Sequence, residues 1–301
     1  MTAETSHRRR FARHAVALFR MARPQMIAAG LLVYALGVIM GARAAGAVDW
    51  PAMGAGVIAL LAANLCAHFA DEFADRDTDA LSQRTWFSGG SGVLPSGLVP
   101  ADFAWRAACV AAGCALAASV TFAGLGLLGP AALGIILIGL AGGWCYSMPP
   151  LALERRGLGE VTNAVLGAML IPLLGFATQR GTPTPEALAG LLPVFTITLV
   201  NLLGVHWADR QADAAVGKGT LAVMLGARVR LVHHLLTALT YGLTWALAGV
   251  VLPPSVVLAV MLTLPISLWA TITFTRRERD GASSAAMVAL MVAACVGWWL
   301  A

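Results

Sequence analysis

The chain has 301 residues, of which 59% are hydrophobic and 12% charged, with a mean hydropathy of +0.78 and a formal net charge of +5. A soluble globular chain carries about 25% charged residues, so a soluble protein of this length could not cover its own surface, and that class is excluded. The basic excess flanks apolar runs, which assigns it to a membrane surface and not to nucleic acid.

Residues 1–24 are polar and basic, with Arg8, Arg9, Arg10, Arg13, Arg20 and Arg23. They lack an apolar core with a cleavage site, so they predict a basic cytoplasmic N-terminal segment and not a signal peptide. Residues 25–301 predict a single transmembrane domain. Its charge-free runs are each roughly 18–25 residues long, enough to cross a bilayer core of about 30 Å. Nine spans follow in order, at 25–47, 51–70, 102–122, 125–148, 161–180, 185–207, 229–250, 254–275 and 283–301. They are too long for strands, and a backbone in lipid must satisfy its own polar groups, so the spans are helices of an all-α integral membrane protein. Gly and Pro mark the breaks, as at Gly129-Pro130, Pro149-Pro150 and Pro253-Pro254. The five cysteines (Cys66, Cys109, Cys114, Cys145, Cys295) form no CxxC pair and read as small core hydrophobes.

Segments 1–24, 71–106, 149–160, 208–230 and 276–282 share one side and hold 18 of the 20 Lys and Arg residues; only Arg43 and Arg180 lie opposite. The positive-inside rule places that side, with the N-terminus, in the cytoplasm, and a bacterial cytoplasmic membrane is the expected location. A repeat accompanies this split. The second span ends in His68-Phe-Ala-Asp71-Glu-Phe-Ala-Asp75 and the sixth in His206-Trp-Ala-Asp209-Arg-Gln-Ala-Asp213, identical at five of eight positions. The copies lie four spans apart, which predicts two pseudo-repeated four-helix halves, and such repeats commonly frame a central site.

The first acidic motif is Asp71-Glu72-Phe-Ala-Asp75-Arg-Asp77-Thr-Asp79. Asp71, Asp75 and Asp79 share one face of a helix continued past the membrane. Like charges at that spacing repel, and a divalent cation resolves the conflict. Mg²⁺ takes oxygen ligands, commonly one or two carboxylates plus substrate phosphates. The plainer alternative is a solvated acidic turn. In the second motif, Asp209 and Asp213 precede Gly217-Lys218-Gly-Thr220, and Lys218 is the only lysine of the chain. It either neutralises a phosphate as a point charge or anchors the basic face. The third is Ser88-Gly89-Gly90-Ser91-Gly92, whose N–H groups could cradle an anion or simply turn the chain. Arg23 before Pro24 is a phosphate contact or a helix start. Tyr146 faces a cationic intermediate through its ring or sits as an interfacial anchor. Arg155 and Arg156 bind diphosphate or anchor. Asn64 and Asn201 lie about two turns before the acidic motifs and brace the site or bond across helices. His68 and His206 read as structural histidines ahead of metal ligands.

Two aspartate-rich motifs at the cytoplasmic ends of the second and sixth of nine spans resemble the UbiA superfamily of intramembrane prenyltransferases. Asp71-Glu72-x-x-Asp75-x-x-x-Asp79 is similar to the family's first motif, although Asp71 and Glu72 stand where the family has Asn and Asp. Asp209, Asp213, Gly217, Lys218 and Thr220 match its second. Arg23-Pro24, Gly89-Gly90-Ser91, the Tyr146-Ser-Met-Pro-Pro stretch and Gly157-Leu-Gly-Glu160 are further landmarks. The resemblance implies nine helices around a central cavity open to lipid, Mg²⁺ as cofactor, and departure of pyrophosphate from a prenyl diphosphate before an acceptor attacks. Metal ligands would be Asp71, Glu72, Asp75, Asp79, Asp209 and Asp213, with Asp71, Asp75, Asp209 and Asp213 carrying catalysis. Arg23, Asn64, Ser91, Tyr146, Arg155, Arg156, Lys218 and Thr220 would contact substrate. The Gly-Lys-x-Thr-Leu-Ala-Val stretch and the Gly-Gly-Ser loop look most similar to the menaquinone-type branch, which implies an aromatic acceptor such as dihydroxynaphthoate. A terpene cyclase of the same superfamily shares the ionising machinery and is the alternative. A transporter would place its charges near the midplane, and a non-catalytic scaffold would leave the paired carboxylates without a purpose.

Overall fold

The computed structural model describes residues 3–85, 88–276 and 281–301. Among them, nine helical segments are long and apolar enough to cross a membrane. The chain is an integral membrane protein. The basic segment at the N-terminus is itself a helix, α1 (Ala3–Met21). Its Ala17 and Met21 are buried with Cys66 and Phe69 of the next but one helix, and Arg13 and Arg20 donate to the carbonyls of Leu98 and Ser91. Arg23, with φ 49°, turns the chain into α2 (Pro24–Ala45).

The first half continues with α3 (Trp50–Ala74), the short α4 (Arg76–Asp79), α5 (Ala101–Gly124) and α6 (Pro130–Ser147). The fifth span begins as α7 (Gly159–Ala164), widens into a π-helical stretch over Val165–Leu170, and ends as α8 (Ile171–Arg180). Pro172 explains the widening: it has no N–H to donate and its ring displaces the preceding turn. After α9 (Pro185–Gly190) comes α10 (Leu192–Ala215), then α11 (Leu221–Leu225) and α12 (Val229–Ala246). The eighth span, expected to be continuous over 254–275, is broken into α13 (Pro254–Met261) and α14 (Leu264–Thr273). Pro265 has no N–H to give the Met261 carbonyl four residues back, and its ring crowds that turn, which accounts for the interruption. α15 (Gly281–Leu300) closes the bundle. The fourth span starts at Pro130 and not at 125, because residues 125–129 turn through Gly126 (φ 73°). Arg277 and Arg279 of the predicted 276–282 loop lie outside the described residues.

Both motif helices outrun their predicted ends at 70 and 207. α3 carries Asp71 and Glu72 in its last turn, and α10 carries Asp209 and Asp213. The packing repeats as the sequence does: α3 lies along α5, and α10 along α12. α2 lies against α8 so closely that a Cβ at Gly37 would fall 1.7 Å from the Pro172 carbonyl oxygen. Small residues permit such approach where lipid offers no hydrophobic drive to association. A core around Leu36, Leu191, Ile197 and Leu290 ties α2 to α10 and α15. Exposed Val110, Leu239, Leu262 and Trp299 face outward, as lipid contact requires.

Candidate functional site

A cavity of about 340 Å³ opens between the two halves. Its deeper wall is apolar, with Val33, Leu60, Ile135, Leu166 and Met287, and its polar end collects Arg23, Asp71, Asp75, Asp79, Asp209, Asp213 and Lys218. Sequence positions 138 residues apart, Asp71 and Asp209, thus meet at one opening, because each ends a motif helix at the same level. Asn64, Tyr146, Asn201, His68 and His206 also line it.

The first motif is heavily paired. Arg23 Nη1 lies 3.2 Å from Asp71 Oδ2, and Arg23 Nε and Nη2 donate to Glu72 Oε1 at 3.1 and 2.8 Å. Ser91 adds its N–H to Glu72 Oε1 at 2.7 Å and its hydroxyl to Oε2 at 2.6 Å. Glu72, expected among the metal ligands, is therefore a buried residue with both oxygens taken. Neither Glu72 nor Ser91 lines the cavity; together they fasten the Gly/Ser loop to α3. Asp71 Oδ1 accepts from Ser147 Oγ at 3.1 Å. Lys218 Nζ sits 2.5 Å from Asp75 Oδ2 and 2.7 Å from Glu154 Oε2. The flanking acids hold the Lys218 ammonium well above its ordinary pKa against the cost of burial. Burial pushes Asp75 upward despite Lys218, and it pushes Asp79 up to about 8, a rise that Arg23 opposes and the neighbouring acids reinforce.

The second motif is held by neutral donors. Asp209 Oδ2 accepts from the Gly89 N–H at 3.3 Å, and Asp213 Oδ2 from Thr220 Oγ1 at 3.2 Å. Asp213 also accepts the Lys218 N–H through its backbone carbonyl at 2.8 Å. The Gly/Ser loop therefore spans both motifs. Gly90, at φ 63°, allows this: a Cβ there would fall 1.8 Å from Asp79 Oδ2. Thr220 is fully buried behind Asp213 and contributes orientation.

Two expected diphosphate contacts point elsewhere. Arg156 is exposed and donates to the Pro150 carbonyl. Arg155 donates to the Ala74 carbonyl at 3.1 Å and lies 3.9 Å from Asp75 Oδ1, behind the cavity wall. His68 Nδ1 pairs with the Ala22 carbonyl at 2.7 Å and His206 Nδ1 with Glu160 Oε1 at 2.7 Å, which suits the structural role expected of both. Glu160 also accepts from the Leu221 N–H at 2.7 Å and so fixes the loop after the second motif.

Sequence reasoning missed Glu154, Glu160 as a brace, and Asn163 in the cavity wall. The available signal was the scarcity of acids: Glu154 and Glu160 are the two acids of the segment between the fourth and fifth spans. Asp75 Oδ1, Asp209 Oδ1 and Glu154 Oε1 are buried with no hydrogen-bond partner among the described residues. Oxygen atoms orphaned in this way fit a hard divalent cation such as Mg²⁺, which prefers carboxylate and phosphate oxygens.

A family model described as the UbiA prenyltransferase family matches residues 30–297. No curated protein matches the chain. Among solved structures, a UbiA homologue from Archaeoglobus fulgidus bound to GPP and Mg²⁺ superposes with a TM-score of 0.68 at 18% identity, covering 95% of this chain and 100% of that one. A digeranylgeranylglyceryl phosphate synthase gives 0.67 at 13% identity over 96% and 99%. A UbiA homologue from Aeropyrum pernix K1 gives 0.65 at 14% over 88% and 94%. At these identities the likeness establishes a shared fold.

Proposed function

We propose, from the premise that this chain belongs to the UbiA prenyltransferase family, that it transfers a prenyl group from a prenyl diphosphate to an aromatic acceptor within the membrane. The observation that carries the reading is the convergence of Asp71, Asp75, Asp79, Asp209, Asp213 and Lys218 on the polar end of one apolar cavity. The related structure bound to GPP and Mg²⁺ supports the same pair of ligands. The basic residues support a cytoplasmic opening in a bacterial membrane.

In this reading Asp71, Asp75, Asp79, Asp209 and Asp213 hold Mg²⁺, and Glu72 keeps Arg23 and the Gly/Ser loop in place. Bound Mg²⁺ supplies positive charge that stabilises the departing diphosphate. Lys218 and Arg23 add positive charge beside it, at the point where negative charge grows. The prenyl chain lies along Val33, Leu60, Ile135 and Leu166, where apolar walls keep water from the allylic carbon. Tyr146 presents its ring to the developing positive charge. Asn64, Asn163 and Asn201 offer amides to the acceptor's polar groups. The match of the second motif to the menaquinone-type branch favours a dihydroxynaphthoate-like acceptor.

The test supplies protein in nanodiscs with Mg²⁺ and a panel of prenyl diphosphates, with and without dihydroxynaphthoate or hydroxybenzoate, and follows pyrophosphate release and organic products by mass spectrometry. Acceptor-dependent release with a prenylated aromatic product supports the transferase. Acceptor-independent release with a cyclic terpene assigns a cyclase. Diphosphate that is moved across the membrane unconsumed assigns a transporter.

A further inference from the structure

The ammonium of Lys218 occupies a place where a metal ion would be expected. It sits between Asp75 and Glu154 at 2.5 and 2.7 Å. One oxygen each from Asp71, Asp75 and Glu154 lies within 4.8 Å of the others. Glu154 is fully buried, and its Oε1 has no hydrogen-bond partner among the described residues. It stands on the turn Leu153–Arg155 between α6 and α7, locked from two sides. Arg155 donates its side chain to the Ala74 carbonyl at the end of α3, and its own carbonyl accepts from the Gly219 N–H at 3.1 Å, one residue from Lys218. The turn therefore brings a carboxylate from a third segment to the first motif, and the backbone link couples its position to that of the lysine.

A buried carboxylate with one spare oxygen is costly unless a cation satisfies it. Asp75 and Glu154 share the one ammonium, while Arg23 faces Asp71 and Arg155 stands 3.9 Å from Asp75 Oδ1, so no cation other than Lys218 is in contact with Glu154 among the described residues. When a diphosphate arrives, it competes for the same ammonium. From this geometry, and resting on the prenyl diphosphate reading above, we propose that Glu154 is a third carboxylate ligand of the divalent cation held by Asp71 and Asp75. Lys218 fills that carboxylate cluster in the free protein and moves to the diphosphate when it binds. Cation and diphosphate binding are thereby coupled: the diphosphate draws Lys218 away from the oxygens that the cation needs. Without diphosphate, the cation must displace a positive charge and binds weakly.

The test is Mn²⁺ binding to the full chain in nanodiscs, read by electron paramagnetic resonance, with and without inorganic pyrophosphate. In the unaltered protein, pyrophosphate strengthens Mn²⁺ binding about tenfold or more. Glu154→Gln weakens Mn²⁺ binding by about tenfold to a hundredfold, the range expected when a group controlling a metal ligand shell is lost. Glu154→Asp keeps the charge and retracts the oxygens, and it too binds about tenfold more weakly. Lys218→Met binds Mn²⁺ more tightly without pyrophosphate and loses most of the enhancement. Since Lys218→Met leaves buried acids unpaired and could fail to fold, infrared difference spectra upon Mg²⁺ addition give an independent reading from the other variants. They lose one coordinated-carboxylate band in Glu154→Gln relative to the unaltered chain. Unchanged Mn²⁺ affinity in Glu154→Asp, together with an unchanged infrared difference spectrum in Glu154→Gln, would overturn the assignment and leave Glu154 as a counter-ion of Lys218. Absence of Mn²⁺ binding to the unaltered protein even with pyrophosphate would instead sink the diphosphate reading on which it rests.

Discussion

The two acidic motifs begin from nearly the same eight residues, and the structure treats them differently. At the first, Glu72 follows Asp71 and is buried under Arg23 and Ser91. At the second, the corresponding Arg210 follows Asp209 and instead lays its guanidinium over the Trp207 ring, 4.0 Å from its centroid. The first motif is surrounded by cations: Arg23 on Asp71, and Lys218 on Asp75. Among the described residues the second accepts its side-chain hydrogen bonds from neutral donors, Gly89 N–H and Thr220 hydroxyl. Even the histidines differ, His68 resting on a backbone carbonyl and His206 on Glu160. A repeated motif thus supplies two sets of carboxylates, while unrepeated residues decide how each is neutralised. The first set is paired with cations, and the second is held by neutral hydrogen-bond donors.

Substitutions can break that comparison, the largest effect coming where both halves are asked to do one job. Asp75→Asn and Asp213→Asn should each lower Mg²⁺-dependent pyrophosphate release by roughly a hundredfold or more, as loss of charge stabilisation at a leaving group does. A large loss in one variant alone would mean that a single motif suffices. Glu72→Gln should cost stability before chemistry, since it removes the buried charge that half-buried Arg23 and the Ser91 N–H and hydroxyl all bond, a loss of about 3 kcal/mol. Thermal unfolding in detergent should show it clearly, whereas Arg210→Met at the equivalent place should shift the midpoint far less. Comparable shifts in the two variants would erase the distinction drawn here.

Asp79 gives a pH-dependent version of the same contrast. Its carboxyl is ordinary in the unfolded chain, near 3.8, and rises to about 8 in the folded protein. The folded state then holds a proton that the unfolded state has lost, so stability in metal-free buffer should fall as pH rises from about 4 towards 8, then level off. The slope is at most about 1.4 kcal/mol per pH unit, and less here because Asp79 is partly open to solvent. Asp79→Asn should flatten it, which pH-series unfolding in EDTA would reveal. The smallest effect belongs to Arg156→Ala. Among the described residues its side chain bonds the Pro150 carbonyl on the surface, and the change should alter stability by about 0.5 kcal/mol or less and pyrophosphate release less than threefold.

Much of this was legible in the chain itself. The nine spans follow from apolar runs of membrane length, and the shared face of the two motifs from the distribution of Lys and Arg. The aspartates needed only their spacing and their position at span ends. Partners were the illegible part. Nothing local to Glu72 names Arg23, 49 residues away, and nothing near Lys218 names Asp75, 143 residues away. Those pairs exist because helix ends converge, and helix azimuths are not set by hydropathy when lipid faces and core faces are equally apolar. Arg155 and Arg156 show the same limit, since adjacent residues on one turn point to a helix end and to solvent. The π-helical stretch and the break at 262–263 were foreshadowed by Pro172 and Pro265, whose effect depends on whether a neighbouring helix leaves room for distortion.

The central claim is that carboxylates from both halves act on one diphosphate. The most direct measurement titrates Mg²⁺-dependent pyrophosphate release from a prenyl diphosphate in the unaltered chain, Asp75→Asn, Asp213→Asn and the double variant, each verified as folded. The account predicts that either single change removes nearly all release and that the double variant is scarcely worse, because the two carboxylates work as a unit. Independent, multiplying losses, or an Asp213→Asn variant as active as the unaltered chain, would contradict it.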